Sequence, residues 1–211
     1  MLLALPLSPL PLGASHMPTI CFVTPGHIAS NPRLVKEADA AAGAGYDVHV
    51  VFSQYLDRLV PDDEALVRES PRWSVTRVRY TEEGFGAQWV RFTSAVRQRI
   101  ARWLFDTGYP RWAPSALGRV QPELEQAAAA VQADLYVAHN LAALPAATQA
   151  ARRCGAYLGF DAEDFHRGEL PDEPAHDADR RLITHAEERY IPGCDYVTAA
   201  SPGIADAYAN I

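Results

Sequence analysis

Thr19-Ile20-Cys21-Phe22-Val23-Thr24-Pro25-Gly26-His27-Ile28-Ala29-Ser30-Asn31-Pro32-Arg33-Leu34-Val35 is the stretch on which the fold turns. Its first six residues are β-branched or apolar on both faces of an extended chain, as in a strand covered by helices on both sides. The polar segment from Pro25 to Ser30 then leads to Asn31, a suitable N-cap, and to Pro32, which fits the first helical position. Leu34, Val35, Ala38, Ala41 and Ala42 continue as one apolar stripe until Gly43 and Gly45 end the helix. A strand that passes through a polar loop into an amphipathic helix is the first half of a βαβ unit.

The same alternation continues outward. Strands are predicted at Thr19 to Thr24, Tyr46 to Phe52, Trp73 to Tyr80, Asp134 to Ala138, Ala156 to Phe160 and Tyr196 to Ala199. Leu182, Ile183, Ala186 and Tyr190 mark a later helix that Pro192-Gly193 stops. The order predicts right-handed crossovers and a doubly wound, Rossmann-like α/β domain over residues 18–211. A helical insertion over about 81–132 interrupts it, with helices near Ala87 to Phe105 and Pro114 to Gln132. Residues 1–17 read as a leader or a cloning-derived tail. The segment has no basic n-region, Pro6, Pro9 and Pro11 break it, and Ala14-Ser15-His16-Met17 resembles a cloning junction.

The chain of 211 residues is 48% apolar, enough for a buried core, and its formal net charge of −7 argues against a nucleic-acid partner. Lys36 is its one lysine. Cys21, Cys154 and Cys194 are odd in number and widely spaced, which points to a reduced, cytoplasmic compartment. No segment approaches the ~18 uninterrupted apolar residues of a membrane span.

In an open parallel sheet, ligands bind outside the carboxyl ends of the strands. The residues there are Gly26, His27, Asn31 and Arg33 after the first strand, His139-Asn140 after the fourth, Asp161 to Arg167 after the fifth, and Ser201 after the sixth. Gly26 can let backbone approach a ligand, the helix N-terminus favours an anion, and Arg33 offers a bidentate contact to phosphate or carboxylate. Equally, Asn31 can merely cap and Gly26 merely turn the chain. His139 and Asn140 can bind sugar hydroxyls, and the imidazole can exchange protons near neutral pH. The alternative is that His139 is simply solvated. Asp161, Glu163, Asp164 and His166 admit three readings: capping and solvated acid, hydroxyl recognition or general-base work, and metal ligation through Asp161, Glu163 and His166. With no second group of hard ligands, no resident metal or cofactor is expected. The first loop has neither G-x-G-x-x-G nor a Walker pattern, which disfavours a nicotinamide oxidoreductase.

At this point the sequence resembles the N-terminal domain of GT-B glycosyltransferases, nearest the family 4-like retaining enzymes. The resemblance rests on Asn31-Pro32-Arg33-Leu34-Val35-Lys36-Glu37-Ala38 with Gly45-Tyr46-Asp47-Val48-His49-Val50-Val51, and on Asp134-Leu135-Tyr136-Val137-Ala138-His139-Asn140 with Leu144-Pro145. Phe160-Asp161-Ala162-Glu163-Asp164 and the segment from Ala186 to Ser201 complete it, in order. It implies an acceptor-side domain whose partner, a C-terminal donor-binding domain with a paired-glutamate motif, lies outside this sequence. It further implies a nucleotide-sugar donor, a sugar or lipid-linked acceptor, Gly26 near the donor phosphates and His139 near the transferred sugar. Where relatives often carry His-Glu after the fifth strand, this chain has Glu163-Asp164. A non-catalytic carbohydrate-binding or interaction module on the same fold is the competing reading.

The helix at Ala87 to Phe105 carries Arg91, Arg97, Arg99 and Arg102 beside Trp89, Phe92 and Trp103. That composition suggests acceptor contact or peripheral contact with the inner face of a membrane. Against this, Val96, Ile100, Trp103 and Leu104 have the spacing of a core face, with arginines on the solvated side. The second expectation is the simpler one.

Overall fold

The computed structural model describes residues 17–70, 72–171, 173–209 and 211. Apart from Met17, the expectation for residues 1–17 lies outside them. Six strands form one parallel sheet: β1 (Thr19–Thr24), β2 (Asp47–Gln54), β3 (Trp73–Arg79), β4 (Leu135–His139), β5 (Tyr157–Ala162) and β6 (Tyr196–Ala199). Their order across the sheet is β3-β2-β1-β4-β5-β6. Such an order reverses direction between β1 and β4, which opens a crevice at their carboxyl ends.

Nine α-helices are described: α1 (Pro32–Gly43), α2 (Val60–Glu69), α3 (Phe85–Asp106), α4 (Ala113–Leu117), α5 (Gln121–Ala129), α6 (Leu144–Cys154), α7 (His166–Glu169), α8 (Asp177–Tyr190) and α9 (Pro202–Tyr208). Parity along the strands sorts the core into two layers. Ile20, Phe22, Val48, Val50, Phe52 and Val137 face Leu34 and Ala38 of α1. Cys21, Val23, Val51, Tyr136, Ala138 and Phe160 face the other way, toward α5, α6 and α8. The sheet is therefore covered on both faces, as its unbroken apolar runs require.

Local chemistry explains the helix ends that matter here. The Asn31 side chain accepts from the Leu34 N–H at 3.0 Å, so α1 starts at Pro32. At the end of α6, Gly155 takes the left-handed conformation (φ 65°) that suits glycine. Gly159 leaves room for the Tyr196 ring, since a Cβ there would meet Tyr196 Cζ at 2.3 Å.

The structure departs from expectation in three places. The helix expected over Pro114 to Gln132 is two helices, because Gly118 is extended (φ −117°, ψ 129°) and Pro122 has no N–H to continue the ladder. Strands β2, β4 and β5 each run past their expected ends, and in β4 and β5 this puts His139 and Asp161 within paired strands. The third departure concerns α3. Its buried side holds small and polar residues, Ser94 and Ala101, while Val96, Ile100 and Trp103 face outward. Small side chains let α3 approach α4 closely, where Gln98 and Arg102 donate to the Ala116 carbonyl.

Candidate functional site

Strand register builds the centre of the site. His139 pairs with Asp161, and Asp161 pairs with Thr198, so the three side chains stand abreast on β4, β5 and β6. They leave the face covered by α1, where Arg33 and Glu37 sit one helical turn apart. Arg33 grips Asp161 with two hydrogen bonds, Nε to Oδ2 at 2.9 Å and Nη2 to Oδ1 at 2.5 Å, and Thr198 Oγ1 donates to Oδ1 at 2.7 Å.

His139 is fully buried among carboxylates. Its Nδ1 lies 3.3 Å from Asp161 Oδ2 and 3.4 Å from Glu163 Oε1. Its Nε2 lies 3.1 Å from Glu37 Oε2, close enough for Coulombic attraction but without an aligned hydrogen bond. Burial opposes the charged imidazole, yet Asp161, Glu163 and Glu37 together outweigh it and push the group from 6.5 up to about 10. Burial likewise opposes ionised Asp161, but His139, Arg33 and Thr198 hold its carboxyl well below the usual carboxylate range. At neutral pH the site is thus a fixed array of an imidazolium, a guanidinium and three facing carboxylates.

Glu37, His139 and Asp161 also bring ligand atoms within 4.8 Å of one another, a spacing a metal ion could bridge. The Arg33 guanidinium already takes both oxygens of Asp161, and a second cation there would be repelled. The geometry suits an ion-pair network better than a metal centre.

Beside the array lies a cleft of about 240 Å³, lined by Thr24, Gly26, His27, Ser30, Asn31, Tyr55, Asn140 and Glu163 among others. Its walls are held by His27. Nε2 of that ring accepts the N–H groups of Tyr55 and Leu56 at 3.0 and 2.9 Å, while Nδ1 meets Asp63 Oδ2 at 2.6 Å. Asp63 also accepts from the Ala29 N–H at 3.0 Å, which ties the β1–α1 loop to α2. Asn140 adopts φ 77° and ψ 144°, a conformation nearly confined to glycine, and its side chain accepts from the Ala142 N–H. Strain of this kind is concentrated at ligand sites.

The parallel sheet puts every residue singled out from the sequence at one edge, with different surroundings. Arg33, His139, Asp161 and Glu163 form the array. Gly26, His27, Asn31 and Asn140 line the cleft, although both ring nitrogens of His27 are engaged and the Asn31 side chain caps α1. His166 accepts from the Leu141 N–H at 3.4 Å, beside Asn140. Asp164 is exposed and its carbonyl accepts from Tyr208. Ser201 caps α9. Glu37 and Thr198 belong to the array but were not singled out. The signal for Glu37 was its i, i+4 spacing from Arg33.

No family model matches the sequence, and no curated protein matches it. Solved structures do match. The Glycyrrhiza uralensis protein UGT73P12, complexed with glycyrrhetinic acid 3-O-monoglucuronide, shares 13% identity over 92% of this chain and 47% of its own, with a TM-score of 0.51. Arabidopsis thaliana UGT89C1 complexed with UDP shares 11% over 90% and 45%, with a TM-score of 0.47. The glycosyltransferase VinC in complex with dTDP shares 16% over 88% and 46%, with a TM-score of 0.38. The fold is that of a Rossmann-like GT-B glycosyltransferase domain. This chain spans about half the length of each of these structures.

Proposed function

We propose that this chain is the acceptor-side domain of a retaining, family 4-like glycosyltransferase that moves a sugar from a nucleotide-sugar to a sugar or lipid-linked acceptor. The observation that carries the reading is the charged His139 held between carboxylates at the crevice where the strand order reverses. An imidazolium that keeps its proton to about pH 10 is a donor, not a general base, at neutral pH. Its Nε2–H makes no hydrogen bond within the protein, and once the half-exposed Glu37 side chain swings aside it can meet an oxygen that gains charge as the donor phosphate departs, while Glu163 faces the positive charge that develops on the sugar. Gly26 and Asn140 line the cleft through which backbone and amide groups would meet sugar or phosphate oxygens.

The test uses a protein extended past Ile211 to include a donor-binding domain. His139→Ala should lower turnover by about 10²-fold while leaving the KM for donor nearly unchanged, because the contact belongs to the reacting sugar rather than the nucleotide. Unchanged turnover would remove His139 from the chemistry.

A further inference from the structure

The outward face of α3 is unlike any other surface among the described residues. Phe85, Trp89, Phe92, Val96, Ile100 and Trp103 fall on a single stripe and are 41–87% exposed. Their spacing of four, three, four, four and three residues keeps them within one side of a straight helix. Soluble surfaces rarely expose a continuous apolar stripe of this kind without a partner.

Three observations indicate what covers it. The segment from Phe85 to Trp112 contains five arginines and a single acidic residue, Asp106, within a chain of net charge −7. Arg91, Arg97 and Arg102 are paired with Glu82, Glu123 and Asp179, but Arg99 and Arg111 are exposed and have no carboxylate partner among the described residues. Trp89 and Trp103 stand toward the two ends of the stripe, and tryptophan favours the level of lipid headgroups. Finally, six side chains on one helix fall far short of the roughly 20–30 residues a side of a stable protein interface. A two-fold contact between copies would also bring two arginine-rich faces together.

We propose that this stripe seats in an anionic lipid surface, with α3 lying in the interface plane and Arg99 and Arg111 meeting the headgroups. The helix starts a few residues after β3, at the same edge of the sheet as His139. A lipid-seated chain therefore has its ligand edge next to the end of the anchoring helix. The inference stands apart from sugar transfer, since it draws only on the face of α3.

Co-sedimentation of the 211-residue chain tests it, with vesicles of phosphatidylcholine alone and vesicles in which phosphatidylglycerol makes up about one third of the lipid. The chain should pellet with the mixed vesicles and far less with the neutral ones. Phe92→Asp combined with Ile100→Asp should abolish pelleting while the chain stays folded, with only a small fall in melting midpoint, because both side chains are at least half exposed. Arg99→Glu combined with Arg111→Glu should weaken it about tenfold or more. Failure to pellet with mixed vesicles, or pelleting that survives the double Asp variant, overturns the proposal. So does a dimer that the double Asp variant dissociates in the absence of any vesicle binding, which would assign the face to a second copy.

Discussion

His27 and His139 are both buried histidines beside an aspartate, yet their surroundings give them opposite duties. His27 has both nitrogens engaged inside the protein, and removing the ring would leave Asp63 buried and short of its closest partner. His27→Ala should therefore destabilise the fold by about 2–4 kcal/mol in denaturant unfolding. A loss under 1 kcal/mol would show that the loop is held by something else. His139 instead makes stability depend on pH. Its folded value of about 10 lies above its unfolded 6.5, so its ion pairs contribute fully below pH 6.5 and are lost as pH rises through 10. Asp161 acts in the opposite sense: its contribution is present above 3.8 and is lost as pH falls through its depressed folded value. Melting temperature should decline from neutral to alkaline pH, and His139→Gln should flatten that decline. An equally steep alkaline limb in the variant would place its origin elsewhere.

At the scale of elements, the strand–loop–helix logic was legible. Strands β1 and β6 begin and end where β-branched runs do, and α1 starts at the cap its sequence offers. Pairings were not legible, because Arg33 and Asp161 lie 128 residues apart and only strand order brings them together. Nor could periodicity say which way the α3 stripe points. A stripe defines an axis, whereas the close packing of Ser94 and Ala101 decides its direction. The β4–α6 junction gives a separate test of local strain. At Asn140, φ 77° suits glycine, so Asn140→Gly should lose only the bond to the Ala142 N–H, while Asn140→Ala should lose that bond and a further ~1–3 kcal/mol to strain. Comparing their urea midpoints measures the difference, and equal midpoints would mean that the junction relaxes.

At the scale of the whole molecule, the Rossmann-like fold of a GT-B domain was legible from the order of strands and motifs, and a TM-score of 0.51 over 92% of the chain bears out that fold. Motif order could not reveal an array assembled from four separate elements. The chain covers 47% of that neighbour, and the proposed reaction needs donor and acceptor held together. Isothermal titration should find nucleotide-sugar binding to the 211-residue chain at least about 100-fold weaker than to a protein that includes a donor-binding domain, with transfer at background. Robust transfer by this chain alone would overturn the two-domain reading.

The central pairing of β1 with β4 also governs how the chain is made. Thr19 and Asp134, joined by a hydrogen bond, are 115 residues apart, and the helices α3 to α5 account for much of that span. During synthesis β1 can find β2 early, but its other edge must wait until β4 emerges, on the order of ten seconds later. Throughout that interval an apolar strand edge is open to pairing with any other nascent chain. Yield of folded protein should therefore depend on the translation speed across 81–132 and on chaperones that shield β1, more than on the equilibrium stability of the finished sheet.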